Sequence, residues 1–591
     1  MLTTLERTIT EPPPDMNVGR VFLQFLIVSI ITIVPDGADA RVTYTGLSDD
    51  LEKNARALMA IASAPCDAPE WRVERLYRDA DVQLRNALEA LGSYRYELIK
   101  GLSFNDVDCW QADFNVTLGE PVRLRNVSIN VDGQASTDAG ISTQSELSPK
   151  SGEVLNHGRY ETYKTSLISR LSTRGYFDAE LSESRVTVDE DLLNADIVVR
   201  IESGSRYHFG DVSFSQPILT PELLAGYVKF RKGDPYDARE ISNLHEQLNG
   251  SGYFGSVSVR AEPMAESGLE IPVNVSISPG KRRVFTAGAG YATDTGVQGR
   301  LGYTNRRRNE RGHQLDVRLF LSSVDSEITA DYRWPRDRPD TEWIDLYGGL
   351  LRKRTDTSES DKQTLGARLT HNRSENWLEN PYVELTREEF KVGEQLDITR
   401  LLTPGIKWET TIGRTLRREF SGHRVSIDIR GSHDSLLSDT TFLQASASAK
   451  WIMTLGSATR LLVRADVGAT VKESLDELPA TVRFFAGGDT SVRGYDFETI
   501  GPVDDEGSVI GGSHQIVLSL EADWEVRDKW AVAVFVDSGS AFNGKDIDMS
   551  TGIGLGLRWY SPVGPIRVDI AHPLDDPDND YRFHLTLGPD L

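Results

Sequence analysis

Residues Phe484 to Pro502 read FFAGGDTSVRGYDFETIGP. This stretch is rich in glycine and too long for a hairpin turn, and its one arginine, Arg493, stands between a valine and a glycine. The segments on either side, near 461–468 and 515–524, alternate apolar and polar residues with the two-residue period of β-strands. The sequence therefore predicts a long loop between two strands, with one arginine near its centre.

The same alternation runs through the C-terminal half of the chain. From Val284 onward helical periodicity disappears, and in 443–453, for example, every second residue is apolar. A soluble β-sandwich would turn the charged face to water, whereas an outer-membrane barrel would turn the apolar face to lipid and the charged face to a wet lumen. Tryptophans near the strand ends favour the barrel. The length of residues 284–591 suits sixteen antiparallel strands of roughly 10 residues each.

Composition excludes two classes of protein. The formal net charge is −24 and the isoelectric point about 5.0, which argues against a nucleic-acid-binding surface. No run approaches the roughly 20 consecutive apolar residues of a membrane-spanning helix, so a helical membrane protein is excluded. A barrel stays open, because its strands need only alternate.

The N-terminus predicts export. Residues 21–34 form an apolar core behind Arg20, and Ala38-Asp39-Ala40 follows as an A-x-A cleavage site. We interpret residues 1–40 as a secretory signal peptide, with a short membrane anchor as the alternative. The true start is Met1 or Met16. Cys66 and Cys109, an even number in an exported chain, are compatible with one disulfide or with two buried thiols.

Residues 41–283 contain a weak internal repeat. Three helical segments end in similar signals at near-equal spacing: Gly92-Ser93-Tyr94, Gly175-Tyr176-Phe177 and Gly252-Tyr253-Phe254. Each glycine would stop an amphipathic helix, and strand-like text follows it. The pattern predicts strand, two helices and two strands, three times over, in units 41–120, 121–204 and 205–283. Three unrelated α+β domains are the alternative.

These features together resemble one family. The core Val492-Arg493-Gly494-Tyr495 resembles the sixth-loop signature of the BamA/TamA superfamily, and 535–539 matches its F-x-D-x-G motif. The repeats resemble POTRA domains, and the ends of the barrel region, at 284–296, 552–571 and 581–591, are similar to the TamA branch. The resemblance implies three periplasmic POTRA-like βααββ domains and a 16-stranded antiparallel transmembrane barrel over 284–591, in the outer membrane of a Gram-negative bacterium.

The resemblance also implies a function. Such a protein inserts or secretes β-barrel outer-membrane proteins, such as autotransporters, and a client strand pairs at a seam between the first and last barrel strands. Its partners would be a TamB-like inner-membrane-anchored protein, unfolded outer-membrane clients and outer-membrane lipid. Gly288, Gly290 and Gly588 would loosen the seam, although ordinary barrel curvature explains them equally well. A passive secretion pore and a component of inter-membrane lipid transport are the alternatives.

The arginine of the loop has a predicted partner. If Val532, Val534 and Val536 face lipid, then Phe535 and Asp537 face the lumen. A loop folded into the lumen would need a counter-charge for Arg493, and we predict that Asp537 supplies it, as a guanidinium fork on a carboxylate. The latch would comprise Val492, Arg493, Gly494, Tyr495, Phe535 and Asp537. A mobile surface loop with a solvated arginine is the alternative.

Enzymatic motifs are lacking in the sequence. It contains no G-x-S-x-G, no H-E-x-x-H and no Walker loop, and its ten histidines are scattered. We therefore predict no catalytic residue, no metal site and no cofactor.

Overall fold

The computed structural model describes residues 41–591, apart from 106–108, 216–217, 375, 414–420, 457, 473, 562–563, 577–580 and 588–591. The predicted signal peptide and Gly588 lie outside the described residues. The chain divides into two compact units. In the described part, the first comprises 41–172 and 178–204, and the second comprises 173–177 and 205–591.

The first unit contains two small α/β domains. The first domain consists of β1 Arg41–Thr45, α1 Asp49–Leu58, α2 Glu70–Glu89, β2 Tyr96–Asn105 and β3 Cys109–Leu118. The second consists of β4 Arg123–Asp132, α3 His157–Thr173, β5 Glu180–Asp189 and β6 Asn194–Glu202. Each sheet has the same order, β1-β3-β2 and β4-β6-β5, with a parallel pair first and an antiparallel pair second.

One helix of the second domain differs from the prediction. Between β4 and α3 the chain forms only a short 3-10 turn, Gln134–Thr137, where the repeat predicts a full helix. The segment from Gly133 to Gly152 is rich in serine, threonine and glycine and contains Pro149. These residues favour turns over helices, so the local sequence overrides the repeat here.

The third domain belongs to the second unit. It consists of β7 His208–Ser215, α4 Pro221–Ala225, α5 Ala238–Gly250, β8 Phe254–Ala261 and β9 Glu270–Pro279, with the sheet order β7-β9-β8. The repeated glycines have the predicted role, since Gly92, Gly175 and Gly252 follow α2, α3 and α5 with φ of 85°, 91° and 75°. Only glycine adopts this left-handed conformation without strain, which explains the repeated signal.

The rest of the second unit is a closed barrel of sixteen strands, and each strand is antiparallel to its neighbours. The predicted fold class is therefore confirmed. The strands are β10 Arg283–Ala292, β11 Gly296–Asn305, β12 Gln314–Leu321, β13 Asp325–Pro335, β14 Glu342–Arg354, β15 Ser358–Ser374, β16 Trp377–Val392, β17 Gln395–Ile412, β18 Gly422–Ser432, β19 Phe442–Leu455, β20 Thr459–Lys472, β21 His514–Arg527, β22 Trp530–Phe542, β23 Ser550–Ser561, β24 Gly564–Pro573 and β25 Arg582–Leu587.

The barrel strands have two distinct faces. In β22, Val532, Val534 and Val536 are exposed on the outside, whereas Phe535 and Asp537 are buried inside. This alternation is what an apolar outer surface and a polar lumen require. Among the described residues, no helix has the length and the hydropathy needed to cross a lipid bilayer.

Candidate functional site

The connection between β20 and β21 lies inside the barrel. Residues 474–513, which we call the luminal loop, contain several buried side chains, among them Leu478, Ala486, Val492 and Arg493. The loop contacts inward-facing residues of strands on both sides of the lumen. A buried arginine must have its charge compensated, so its partners decide how the loop is held.

Arg493 is held by Asp537 of β22. Its Nε and Nη2 atoms donate to the two carboxylate oxygens of Asp537 at 2.6 Å and 3.0 Å, and its backbone N–H donates to the same carboxylate at 3.2 Å. The guanidinium carbon lies 3.4 Å from the centroid of the Phe535 ring. Arg493 is 7% exposed and Asp537 is fully buried. The structure thus brings Arg493, Asp537 and Phe535 together as a bidentate, stacked ion pair.

Two further carboxylates and a second arginine complete a charge network. Arg493 Nη1 donates to Glu521 at 2.8 Å and to Asp569 at 3.1 Å. Arg558 bridges the same two carboxylates, with Nη2 2.8 Å from Glu521 and Nη1 2.5 Å from Asp569. Sequence analysis missed Glu521, Arg558 and Asp569. The one sequence feature that points to these three residues is that each occupies an inward-facing position on a strand near β22.

The neighbours of Arg493 fit the loop against the wall. Val492 is buried in a cluster with Ala486, Ile500 and Val517. Tyr495 donates from its hydroxyl to the Thr551 carbonyl at 3.3 Å. Gly494 has a φ of 104°, and a Cβ atom there would lie 3.2 Å from the backbone nitrogen of Pro573. This position therefore requires both the conformational freedom and the small size of glycine.

A second contact joins the loop to the first and last strands at once. Asp489 accepts from His584 Nδ1 of β25 at 2.5 Å, and its backbone N–H donates to Asp294, in the turn after β10, at 2.5 Å. His584 Nε2 accepts from the Gly494 N–H at 3.0 Å. The ring is therefore the tautomer with its proton on Nδ1. We call Asp294, Asp489 and His584 the end clamp.

The end clamp is a cluster of hydrogen bonds. Its potential ligand atoms lie within 4.8 Å of one another, but both ring nitrogens of His584 already have partners within the loop. Burial, and then the negative charge of Asp489, raise the pKa of Asp294 to about 6. The clamp is thus a titratable junction between the luminal loop and the two terminal strands.

The opposite side of the loop has its own anchor. The Thr481 backbone N–H donates to Glu388 of β16 at 3.1 Å, and its hydroxyl donates to the same carboxylate at 2.5 Å. Arg483 donates to Gln395 of β17 at 2.9 Å, and Lys353 of β14 pairs with Glu498 at 2.5 Å. The loop therefore spans the lumen between two walls.

The first and last strands, β10 and β25, meet beside the end clamp. In the described residues, β10 and β25 share one register pair, Ala292 with Thr586, whereas β10 pairs with β11 along its whole length. The Thr293 N–H adds a hydrogen bond to the Leu585 carbonyl at 3.2 Å. Gly288 and Gly290 lie in β10 below this contact, where a Cβ atom would meet nothing closer than 3.6 Å.

The two cysteines both belong to the first domain. Cys66 and Cys109 form a disulfide that joins the segment before α2 to the start of β3.

These features define a class: a transmembrane β-barrel with an N-terminal arm of small repeated α/β domains and a loop docked in its lumen. Residues 273–590, more than half of the chain, match the model of the Omp85 superfamily domain. The chain belongs to the Omp85 superfamily. Residues 41–118 match the model "POTRA domain TamA domain 1", and 126–204 and 207–280 match the POTRA model, described as a surface antigen variable number repeat.

Named relatives agree with this family. The chain is similar to the outer membrane protein assembly factor BamA of Neisseria meningitidis serogroup B, with 22% identity over 549 residues, 80% of this chain and 68% of the relative. The BamA of Nitratidesulfovibrio vulgaris is 24% identical over 455 residues, 70% of this chain and 55% of the relative. The chain thus spans little more than half of the second relative.

A solved structure shares the fold. The crystal structure of BamA from Haemophilus ducreyi lacking POTRA domains 1–3 superposes with a TM-score of 0.64 at 16% identity, and the match covers 79% of this chain and 99% of that one. This chain is therefore an Omp85-family barrel of the outer membrane of a Gram-negative bacterium, and its POTRA domains lie in the periplasm.

Proposed function

We propose that this protein is a TamA-like assembly factor that inserts or secretes β-barrel outer-membrane proteins, autotransporters among them. The observation that carries the proposal is the seam between the first and last strands, where Ala292 of β10 pairs with Thr586 of β25 in the described residues. The match of the first domain to a TamA-type POTRA model supports the TamA branch. The BamA names of the relatives support the broader assembly role.

The proposed mechanism uses backbone chemistry. A client strand adds to the edge of β10, where N–H and C=O groups of 284–291 offer a template. The exposed side chains of Phe285 and Tyr291 lie along this edge and would contact the client. Because such pairing needs no particular side chain, one seam would serve clients of different sequence.

The arm would deliver clients and connect to the inner membrane. Each POTRA sheet ends in an antiparallel edge strand, β2, β5 or β8, which can accept an extended segment. A TamB-like inner-membrane-anchored protein would bind the first domain. These partners are part of the proposal and follow from the TamA branch.

The docked loop favours an assembly factor over a passive pore. The loop is held at the Arg493 network on one wall and at Glu388 on the other. Burying two arginines and three carboxylates costs desolvation free energy, and in a passive pore the docked loop would only obstruct the lumen. An assembly factor whose wall opens for a client must keep its lumen closed at the same time, and contacts on both walls would hold the loop in place for this.

Cysteine crosslinking tests the seam. Single cysteines at Ala287 and Ala289 of β10 should crosslink to a cysteine in the terminal strand of a client barrel during its assembly in proteoliposomes. The matched control is Leu301→Cys in β11, which pairs on both sides with β10 and β12 and should give no crosslink. Equal crosslinking at 289 and 301 would reject the seam. Steady large conductance without any effect on client folding would support the passive pore instead.

A further inference from the structure

Two arginines on adjacent strands face outward near the extracellular end of the barrel wall. In β16, Thr386 and Glu388 are buried in the lumen, so Arg387 between them points outward, on the same side as Leu385. In β17, Thr399 and Leu401 are buried inside, and Arg400 between them points outward. On the periplasmic side of Arg387, the next outward residues of β16 are the exposed, apolar Leu385 and Val383.

The strand register places the two arginines side by side. Arg387 and Arg400 are direct partners across the β16–β17 ladder. Like charges that face each other on one side of an antiparallel pair repel. The electrostatic repulsion between Arg387 and Arg400 therefore destabilises the folded barrel unless an anion lies between or above the two guanidinium groups.

Protein side chains do not provide this anion. Within the described part of the chain, neither guanidinium group has a hydrogen bond or an ion pair, although Glu389 is the next outward residue of β16. The neighbouring arginine of the same wall behaves differently, since Arg352 pairs with Asp361 at 2.9 Å. Among the described residues of β14 to β17, Arg387 and Arg400 thus form an outward cationic pair without a protein counter-charge.

An apolar groove lies directly beside them. The groove has a volume of about 560 Å³, and its lining includes both arginines together with the exposed side chains of Leu350, Leu365 and Leu385. Gly348 and Gly349 form part of its floor. A charged end next to an apolar trough matches a lipid, whose phosphate and acyl chains are joined in one molecule.

The level in the membrane fits a headgroup. β16 is the seventh barrel strand and begins on the periplasmic side, because β10 follows directly after the periplasmic third POTRA domain. Arg387 lies near the far end of β16, which ends at Val392. The pair therefore stands at the extracellular border of the apolar face, where charged side chains are tolerated and where headgroups lie.

We propose that Arg387 and Arg400 bind the phosphate of an outer-leaflet lipid, with its acyl chains in the groove over Leu350, Leu365 and Leu385. Each guanidinium can donate two parallel hydrogen bonds to phosphate oxygens, and the phosphate relieves the repulsion between the two arginines. The bound lipid covers the wall of β14–β17, away from the β10–β25 seam. It would fix the orientation of the barrel in the outer leaflet while the seam side stays free for clients.

Native mass spectrometry with diphosphoryl lipid A tests this site in the full chain. The double variant Arg387→Gln/Arg400→Gln should bind lipid A about tenfold more weakly than the wild type, because two charge-assisted contacts are lost. Arg318→Gln removes one positive charge from a lumen-side arginine that pairs with Asp331, and it should bind as the wild type does. Heat-modifiable gel mobility checks that each barrel is folded.

Three outcomes would overturn the proposal. Equal affinity of the wild type and the double variant would show that the arginines do not bind the lipid. An equal loss in Arg318→Gln would show a general effect of charge. Displacement of lipid A by inorganic phosphate at millimolar concentration would show a phosphate site without a role for the groove. Partial binding by Arg387→Lys/Arg400→Lys, which keeps charge without the fork, is the expected intermediate result.

Discussion

Arg493 is the residue on which the docking of the luminal loop depends. It contacts three carboxylates on three different strands, and Asp537 among them is fully buried. Removing one partner of a buried ion pair costs about 3–5 kcal/mol, because the remaining charges keep their desolvation without compensation.

Arg493→Ala should therefore release the loop. The barrel should still be made, since its strands pair through their backbones, but residues 484–502 should become sensitive to protease and client assembly should fall. Arg493→Lys should rescue little, because an ammonium group cannot form the fork to Asp537. Arg318→Ala is the matched control. Wild-type protease resistance in Arg493→Ala would contradict the latch.

The end clamp predicts a dependence on pH. The pKa of Asp294, ordinarily 3.8, is raised to about 6 by burial and by Asp489. The protonated carboxyl is therefore favoured in the folded state, so its contribution to stability is full below pH 3.8 and is lost as the pH rises through about 6. Melting temperatures between pH 4 and 7.5 should decrease with pH in the wild type more steeply than in Asp294→Asn. Identical slopes would contradict the assignment.

At the scale of elements, the seam is the junction between the first barrel strand, β10, and the last, β25. β10 pairs with β11 over ten positions but with β25 at one in the described residues. In the proposed mechanism the wall opens at this junction, so the contact between Ala292 and Thr586 must break when a client strand is added.

A disulfide across the seam should stop assembly. Ala292 and Thr586 are direct partners, so Ala292→Cys/Thr586→Cys should crosslink, abolish client insertion, and regain it on reduction. The matched control is Leu301→Cys/Leu319→Cys, a direct pair between β11 and β12. It should crosslink without loss of insertion, and it also corrects for reduction of the native disulfide. Full insertion by the oxidised seam variant would exclude opening at this place.

At the scale of the whole molecule, the luminal loop crosses the lumen. Arg493 binds Asp537 on one wall, and Thr481 binds Glu388 on the other. Removing one main contact on each wall should raise the conductance of the channel. Arg493→Ala/Glu388→Ala should show larger single-channel conductance in planar bilayers than either single variant, since each remaining anchor holds half of the loop. Ser360→Ala, which removes another hydrogen bond to Glu388 but leaves the bond to Thr481, should conduct as the wild type does. Equal conductance in all variants would show that the loop does not close the lumen.

Sequence alone predicted what depends on short-range pattern. The two-residue period predicts that Asp537 faces the lumen, because successive side chains along a strand point to opposite faces. It could not select Glu521, Arg558 and Asp569 from many other inward charges, since that choice depends on the register of four strands. Thr481 and Glu388 are 93 residues apart, and no local signal connects them. The predicted first helix of the second domain is wrong, because the turn-forming residues between Gly133 and Gly152 override the helix that the repeat predicts there.

The end clamp also has a consequence for the maturation of the barrel itself. Asp489 is 195 residues from Asp294 and 95 residues from His584, and it can bind both only when the two terminal strands have come together. Contacts between such distant parts of a chain form late in folding. The luminal loop can therefore make all its contacts only after β10 and β25 have closed the barrel. Before closure, Asp489 lacks at least one of its two partners, and the loop is not fully docked.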